Sequence, residues 1–161
     1  MEVRLEWHEV QMAAQVGLAR HVEAIRKGLT DRRKDISRTW DQHICGALGE
    51  LAAAKALDCH WSGGINTFKG ADVGANIQIR TRPFDTERTK YDLIVRDNDR
   101  NDDIFVLVQG ESDRFLIAGW IKGADAKRPE WRRNYGGHQE SWFVPKDGLS
   151  PVEHLKSKEA A

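Results

Sequence analysis

The chain has 161 residues, with 25 lysines and arginines against 25 aspartates and glutamates, so its formal net charge is zero. This length predicts one domain spanning residues 1–161, and a hydrophobic content of 40% is enough to build a core. The neutral total argues against a strongly nonspecific DNA binder, because neutralising phosphates requires clustered positive charge.

The cysteines and the apolar segments exclude several further classes of protein. Cys45 and Cys59 match no zinc-ligand spacing, and we expect both to be reduced thiols. No apolar run approaches the roughly 18 residues of a membrane-spanning helix, and the polar N-terminus does not resemble a signal peptide. We therefore expect a cytoplasmic protein with no membrane partner.

The chain opens with a predicted strand followed by a predicted helix. Val3, Leu5 and Trp7 alternate with charged residues, which favours a short strand. Residues 9–27 have the apolar spacing of an amphipathic helix, which should end at Gly28. We expect the apolar side of this helix to pack on a sheet.

A second helix is predicted from Trp40 to Leu57, where only Gly46 and Gly49 interrupt residues that favour helix. Each glycine costs about 1 kcal/mol relative to alanine inside a helix. Two of them therefore predict that the backbone of this helix closely approaches another part of the molecule. Apolar residues lie on several sides, so the helix should be buried on most of its surface.

One carboxylate stands out in this second helix. Between Gln42 and Lys55 the only charged side chain is Glu50. A buried carboxylate is costly unless it is paired with a cation or bound to a metal, so Glu50 needs a partner. His43 precedes it by seven residues, on nearly the same helical face; a phosphate-contacting role and a satisfied histidine at the helix start are about equally expected.

A tight hairpin is predicted after this helix. Asp72 and Gln78 are six residues apart, which would span roughly 20 Å in a straight strand. Their side chains can meet only if the chain turns between them. Residues 74–76 suit a three-residue loop in which Asn76 takes the left-handed conformation.

The hairpin would set the side-chain positions on its two strands. With this loop Val73 faces Ile77, so Asp72 lies opposite Gln78 with Cβ atoms about 5 Å apart. Period-two alternation then places Arg80 on the same face as Gln78. We therefore predict that Asp72, Gln78 and Arg80 gather in one place.

Four strands are predicted in the remainder of the chain: residues 91–95, 104–109, 115–121 and 142–144. The second of these is apolar on both faces and should lie centrally in the sheet. The aspartate-rich stretch of residues 97–103 lacks the glycine and the final glutamate of an EF-hand loop, so a solvated turn is expected there.

Basic residues alternate with aromatic residues between Lys127 and His138. This composition is typical of a segment that contacts a nucleic-acid groove or stacks on bases. An ordinary surface loop whose Trp131 packs inward explains it equally well.

The motifs together resemble the PD-(D/E)XK, or restriction-endonuclease-like, nuclease superfamily, and in particular its small phage-type members. The residues that carry the resemblance are Gly-Ala-Leu-Gly-Glu at 46–50, Asp-Val-Gly at 72–74, Ile-Gln-Ile-Arg-Thr at 77–81 and Gly-Trp-Ile at 119–121. It covers about residues 40–121. We predict an α/β fold with a mixed, largely antiparallel central sheet flanked by helices.

The resemblance also implies roles for single residues. Glu50 and Asp72 would hold a divalent cation, Mg²⁺ or Mn²⁺, and the backbone carbonyl of Ile79 could complete the site. Gln78 stands at the second acidic position and Arg80 at the lysine position, and both depart from the family pattern. Gln is a neutral ligand, and Arg cannot act as a general base, although it could hold the scissile phosphate.

Two functions follow from this resemblance. The first is a Mg²⁺-dependent DNA endonuclease or nickase that hydrolyses phosphodiester bonds in the host cytoplasm, if the chain is phage-encoded. The alternative is a catalytically degenerate nuclease-fold protein that binds DNA or a protein partner without cleavage. Cutting both strands would require a homodimer, because one site serves one strand. The candidate DNA-contacting residues are His43, Arg82, Arg128, Trp131, Arg132 and Arg133.

Overall fold

The computed structural model describes residues 1–28, 39–65, 70–86, 90–134 and 140–155. It is a mixed α/β fold with two sheets, mostly antiparallel, and helices, which confirms the predicted class at this level. The helices are α1 (Trp7–Arg26), α2 (Thr39–Leu57) and the short α3 (Gly123–Ala126). The strands are β1 (Glu2–Arg4), β2 (Ile77–Arg82), β3 (Leu93–Arg96), β4 (Ile104–Glu111), β5 (Arg114–Lys122), β6 (Arg132–Arg133) and β7 (Ser141–Val144). Within these described residues, no helix combines the length and the apolarity needed to cross a membrane.

Helix α1 packs mainly on α2, whereas we had expected it to pack on a sheet. The backbone amide of Glu6 donates a 2.6 Å hydrogen bond to the Glu9 carboxylate at the start of the helix. At its end Gly28 has a φ of 62°, as the predicted stop requires. Gly17 lets the two helices touch, since a Cβ there would lie 2.5 Å from the Cα of Ile44.

Helix α2 lies between α1 and the first sheet, and most of its residues from Ala47 to Leu57 are buried. Of its two glycines, only Gly49 meets a close neighbour. Among the described residues, a Cβ at Gly49 would lie 2.1 Å from the Oγ1 of Thr81, on β2, whereas a Cβ at Gly46 would have nothing within 4 Å. The predicted close approach is confirmed at Gly49 and wrong at Gly46.

The first sheet has four strands in the order β1-β5-β4-β2. Strand β4 pairs antiparallel with β5 and parallel with β2, and β1 pairs antiparallel with β5. The expected central position of β4 is confirmed, because alternate side chains of β4 pack into two separate hydrophobic cores. Val106 and Val108 face the helices, while Phe105 and Leu107 face the second sheet.

The second sheet was not predicted. It has three strands in the order β3-β7-β6 and covers the face of β4 that the helices leave open. We had expected all the strands in one central sheet with helices around it. The separation arises because Leu93 and Val95 of β3 pair with β7 and bury their side chains against Phe105 and Leu107.

The two glycines of α2 give a matched test of helix packing. Gly49→Ala should lower the free energy of unfolding by about 1–3 kcal/mol, because the new methyl group overlaps Thr81. Gly46→Ala should raise it by about 0.5–1 kcal/mol, since alanine favours helix and the site is open. Urea denaturation of both variants measures the two effects. If the Gly49→Ala protein were as stable as the Gly46→Ala protein, the close contact between Gly49 and Thr81 would be contradicted.

Candidate functional site

Glu50 is held by a buried ion pair with Arg20 of α1. Its two oxygens accept hydrogen bonds of 2.6 Å from Arg20 Nη1 and 2.8 Å from Arg20 Nη2. The indole Nε1 of Trp61 donates a third bond, of 3.1 Å, to Glu50 Oε2. Only 9% of the Glu50 side chain and 15% of the Arg20 side chain are exposed. Glu50 therefore has the cationic partner that its burial required.

Arg20 joins three parts of the chain at this point. Besides its two bonds to α2, its Nε donates a 2.7 Å hydrogen bond to the carbonyl of Gly64. One guanidinium thus connects α1, α2 and the loop that carries Trp61. Arg20 was not predicted as a site residue, because nothing in the sequence indicates that α1 packs against the helix that carries Glu50.

Asp72 lies in the predicted hairpin. Val73 forms a bridge with Ile77, which confirms the three-residue loop, although Gly74 rather than Asn76 takes the left-handed conformation, with a φ of 58°. The pairing does not continue as a regular ladder past this bridge. Instead the Asp72 Oδ2 accepts a 2.8 Å hydrogen bond from the backbone amide of Ile79.

The two carboxylates influence each other electrostatically. The pKa of Asp72 is raised to about 6, mainly by burial and also by the charge of Glu50, against the lowering effects of the Ile79 amide, Arg80 and Arg20. Asp72 and Glu50 therefore share one low-dielectric region, in which Arg20 supplies positive charge to both. A half-buried carboxylate whose pKa is raised by burial and by a neighbouring carboxylate is more typical of a functional site than of a purely structural one.

Gln78 and Arg80 lie on the other face of β2. Ile77 and Ile79 pack toward α2, so the residues that alternate with them point toward the second sheet. The Arg80 guanidinium lies 5.1 Å from the ring centroid of Phe105, and its Nε donates to the Ile94 carbonyl at 3.1 Å. The four residues with proposed catalytic roles are therefore not gathered on one face.

Two aspartates of the aspartate-rich turn bind the side chains of Gln78 and Arg80. Gln78 Nε2 donates to Asp103 Oδ2 at 3.3 Å, and also to the Gly70 carbonyl at 3.3 Å. Arg80 Nη2 donates to Asp99 Oδ2 at 2.8 Å. Asp103 is only 6% exposed. The expected solvated turn is confirmed for residues 97, 98 and 100–102, which are exposed, whereas Asp99 and Asp103 bind β2.

Glu50 and Asp72 carry carboxylate oxygens of the kind that Mg²⁺ binds, although both Glu50 oxygens already accept hydrogen bonds from Arg20. Mg²⁺ prefers oxygen ligands and usually takes one or two carboxylates, leaving its other positions to water and phosphate. Asp72 Oδ1 accepts no hydrogen bond from the described residues, and the Ile79 carbonyl meets only Arg80 Nη1, at 3.3 Å. Within the described ranges, no group of three or more His, Cys, Asp or Glu could hold a metal. Any cation here would thus rely on few protein ligands.

The basic and aromatic residues of the C-terminal third form a stacked surface. The Arg128 guanidinium lies 4.7 Å from the ring centroid of Trp131, and that of Arg132 lies 5.7 Å from the centroid of Trp142. Arg132 is also paired with Glu140. Trp131 packs partly into the second core, as the alternative of an ordinary surface loop with an inward-facing Trp131 predicts. Arg128 and Arg132 remain exposed at the surface.

Of the other candidate DNA-contacting residues, Arg133 follows Arg132 in β6 and is exposed. Burial raises the pKa of Asp92, and the charges of Arg133 and Arg82 oppose that rise. His43 lies on α2 beside His21, with ring centroids 5.1 Å apart. The predicted DNA-contacting residues therefore do not form one continuous patch.

No family model matches this sequence, and no curated protein or solved structure is detectably similar to it.

The buried ion pair can be tested by stability. Arg20→Met should lower the free energy of unfolding by about 3–5 kcal/mol, because it leaves Glu50 buried without a cation. The double variant Arg20→Met, Glu50→Met should recover most of that loss, since no unpaired charge remains. Chemical denaturation at neutral pH measures both.

Arg26 provides the control, since it also pairs with a glutamate, Glu23, but is exposed. Arg26→Met should hardly move the denaturation midpoint. Equal effects at Arg20 and Arg26 would show that the Glu50 pair is not a buried one.

Proposed function

We propose that this chain is a Mg²⁺-dependent deoxyribonuclease, an endonuclease or nickase that hydrolyses phosphodiester bonds. The observation that carries the proposal is the proximity of two carboxylates from different elements, the buried Glu50 on α2 and the half-buried Asp72 in the hairpin, with the charge of Glu50 raising the pKa of Asp72. Such crowding of negative charge costs stability, and a divalent cation would relieve it. The resemblance to PD-(D/E)XK nucleases supports the same conclusion.

In this proposal each residue has a distinct role. Glu50 and Asp72 hold the cation, with the Ile79 carbonyl beside them, and the Ile79 amide fixes the orientation of the Asp72 carboxylate. When bound, Mg²⁺ polarises the phosphoryl group and activates water as a nucleophile. Arg80 lies on the other face of β2, but near enough to lower the pKa of Asp72; its guanidinium would bind the scissile phosphate and stabilise the charge that develops there.

Two exchanges of partner are needed before this site can work. Arg20 occupies both oxygens of Glu50, so a cation must share or displace that guanidinium. Arg80 is bound to Asp99, so a phosphate must replace that carboxylate. Both exchanges cost binding energy, which predicts weak cation binding and slow turnover.

The second candidate function is DNA or protein binding without cleavage. The same contacts favour it, because a bidentate Arg20–Glu50 pair already satisfies the carboxylate and Gln78 supplies no negative charge. In that case the arginines at the surface of the second sheet would provide the affinity for DNA.

Asp72→Asn tests the enzymatic proposal. Asn keeps the shape of the side chain and can still accept the Ile79 hydrogen bond, but it loses the charge that binds the cation. Cleavage of DNA in Mg²⁺ or Mn²⁺ should fall by at least about 100-fold with the fold intact, as judged by circular dichroism. Asp97→Asn, at an exposed turn position, is the matched control and should retain full activity.

Gln78→Glu separates the two candidate functions. It adds a carboxylate next to the buried Asp103, so the variant should be less stable in EDTA. If a cation binds nearby, Mg²⁺ should restore stability more in this variant than in the wild type, and cleavage should need less Mg²⁺. The enzymatic proposal fails if neither the wild type nor the Gln78→Glu variant cleaves single-stranded, double-stranded or branched DNA and Mg²⁺ does not shift the melting temperature of either. Binding without cleavage would then be the remaining function.

DNA affinity at the second sheet is tested by the double variant Arg132→Ala, Arg133→Ala. Each lost phosphate contact should reduce the slope of log affinity against log salt by about one unit. Fluorescence anisotropy of a labelled duplex measures that slope. The control is Arg4→Ala, an exposed arginine paired with Asp113 on the β1–β5 side of the first sheet. Equal slopes for the wild type and the double variant would assign Arg132 and Arg133 to packing alone.

A further inference from the structure

Helix α1 presents an apolar stripe to solvent. Trp7 is 71% exposed, Leu18 46%, Val22 50% and Ile25 60%. With about 100° per residue, these four and Ala14 fall within an arc of about 80° on one side of the helix. Single exposed apolar residues are ordinary, but an aligned row along a whole helix indicates an interaction surface.

The stripe is not the side of α1 that forms the core. Ala13, Gly17 and His21 are buried on another side of the helix, where it meets α2. Trp40 of α2 extends the stripe at the end where α1 finishes, since it is 39% exposed and its ring lies 4.0 Å from that of His21. The described part of the chain thus leaves both the stripe and Trp40 open to solvent.

We propose that a second copy of this chain covers the stripe, with the two α1 helices packed antiparallel. The two-fold axis crosses the stripe between Ala14 and Leu18, at the height of Val16 along the helix. In that arrangement Trp7 of one copy lies against Ile25 of the other. The small Ala14 faces the large Leu18, so the surfaces interlock. Both copies use the same residues, as a two-fold dimer requires.

The charges of α1 set the antiparallel direction. Glu6 stands at the start of the helix, and at its end Arg26 and Lys27, which both pair with Glu23, leave a net positive charge. Antiparallel packing places the acidic start of one copy beside the basic end of the other and opposes the two helix dipoles. Parallel packing would bring the like-charged ends together. The acidic start also makes the helix a poor match for an anionic membrane surface.

This contact is small. A helix of 20 residues is about 30 Å long, so the interface lies at the lower end of specific ones. The dimer should therefore dissociate in the micromolar range. It does not depend on whether the protein cleaves DNA.

Analytical ultracentrifugation of the full chain tests the proposal. The weight-average mass of the wild type should rise above the monomer value of 18.3 kDa as its concentration increases through the micromolar range. Leu18→Glu should raise the dissociation constant by at least about 100-fold, because each substitution acts twice in a two-fold interface. Met12→Glu is the matched control, since Met12 is 45% exposed on the same helix but outside the stripe, and it should dimerise like the wild type.

Spin labels test the direction of packing. In a variant lacking Cys45 and Cys59, labels at Gln15 should lie close together across the axis, and labels at Arg26 should lie far apart. A wild type that stays monomeric at high concentration overturns the proposal, as does equal weakening by Met12→Glu. A monomer that cosediments with anionic phospholipid vesicles overturns it too, and assigns the stripe to a membrane surface. Short distances at both labelled positions would overturn the antiparallel arrangement.

Discussion

The burial of a single carboxylate on α2 constrains the helical half of this protein. Glu50 lies where water cannot stabilise its charge, so the fold must bring a cation to it. That cation is Arg20, and its guanidinium contacts α2 and the Gly64 carbonyl at the same time. The angle between α1 and α2 and the position of the loop bearing Trp61 therefore depend on one group. Replacing either Arg20 or Glu50 would therefore weaken contacts of α1, of α2 and of the loop bearing Trp61.

Strand β4 has a similar role on the other side of the molecule. Its residues alternate between a core shared with the helices and a core shared with the second sheet, so it is buried on both faces. The turn before it, through Asp99 and Asp103, holds Arg80 and Gln78 of the neighbouring β2. The hairpin with Asp72 is attached to β2 as well. The candidate site thus lies at the β2 edge of the first sheet.

Local patterns were enough to predict most elements and the hairpin. The periodicity of α2 and the loop length after Asp72 depend only on neighbouring residues, and both predictions hold in the structure. The second sheet could not be predicted in this way, since β3 and β7 pair across a long stretch of chain. Arg20 was missed for the same reason, because nothing near Glu50 in the sequence identifies which helix supplies the cation. Strand parity placed Gln78 and Arg80 on a shared face correctly, but could not reveal that the acidic turn would cover them.

The first strand has a consequence for how the chain folds as it is synthesised. Val3 pairs with Phe115, and the terminal amine of Met1 donates to the Ile117 carbonyl, across 116 positions of sequence. The N-terminal strand must therefore wait until β5 has left the ribosome. The pair of helices can form from nearby contacts, but one edge of the sheet closes only late. Such distant pairing slows folding, and the edge of β5 stays exposed until β1 pairs with it. Slower synthesis of the early part of the chain would therefore not complete the first sheet.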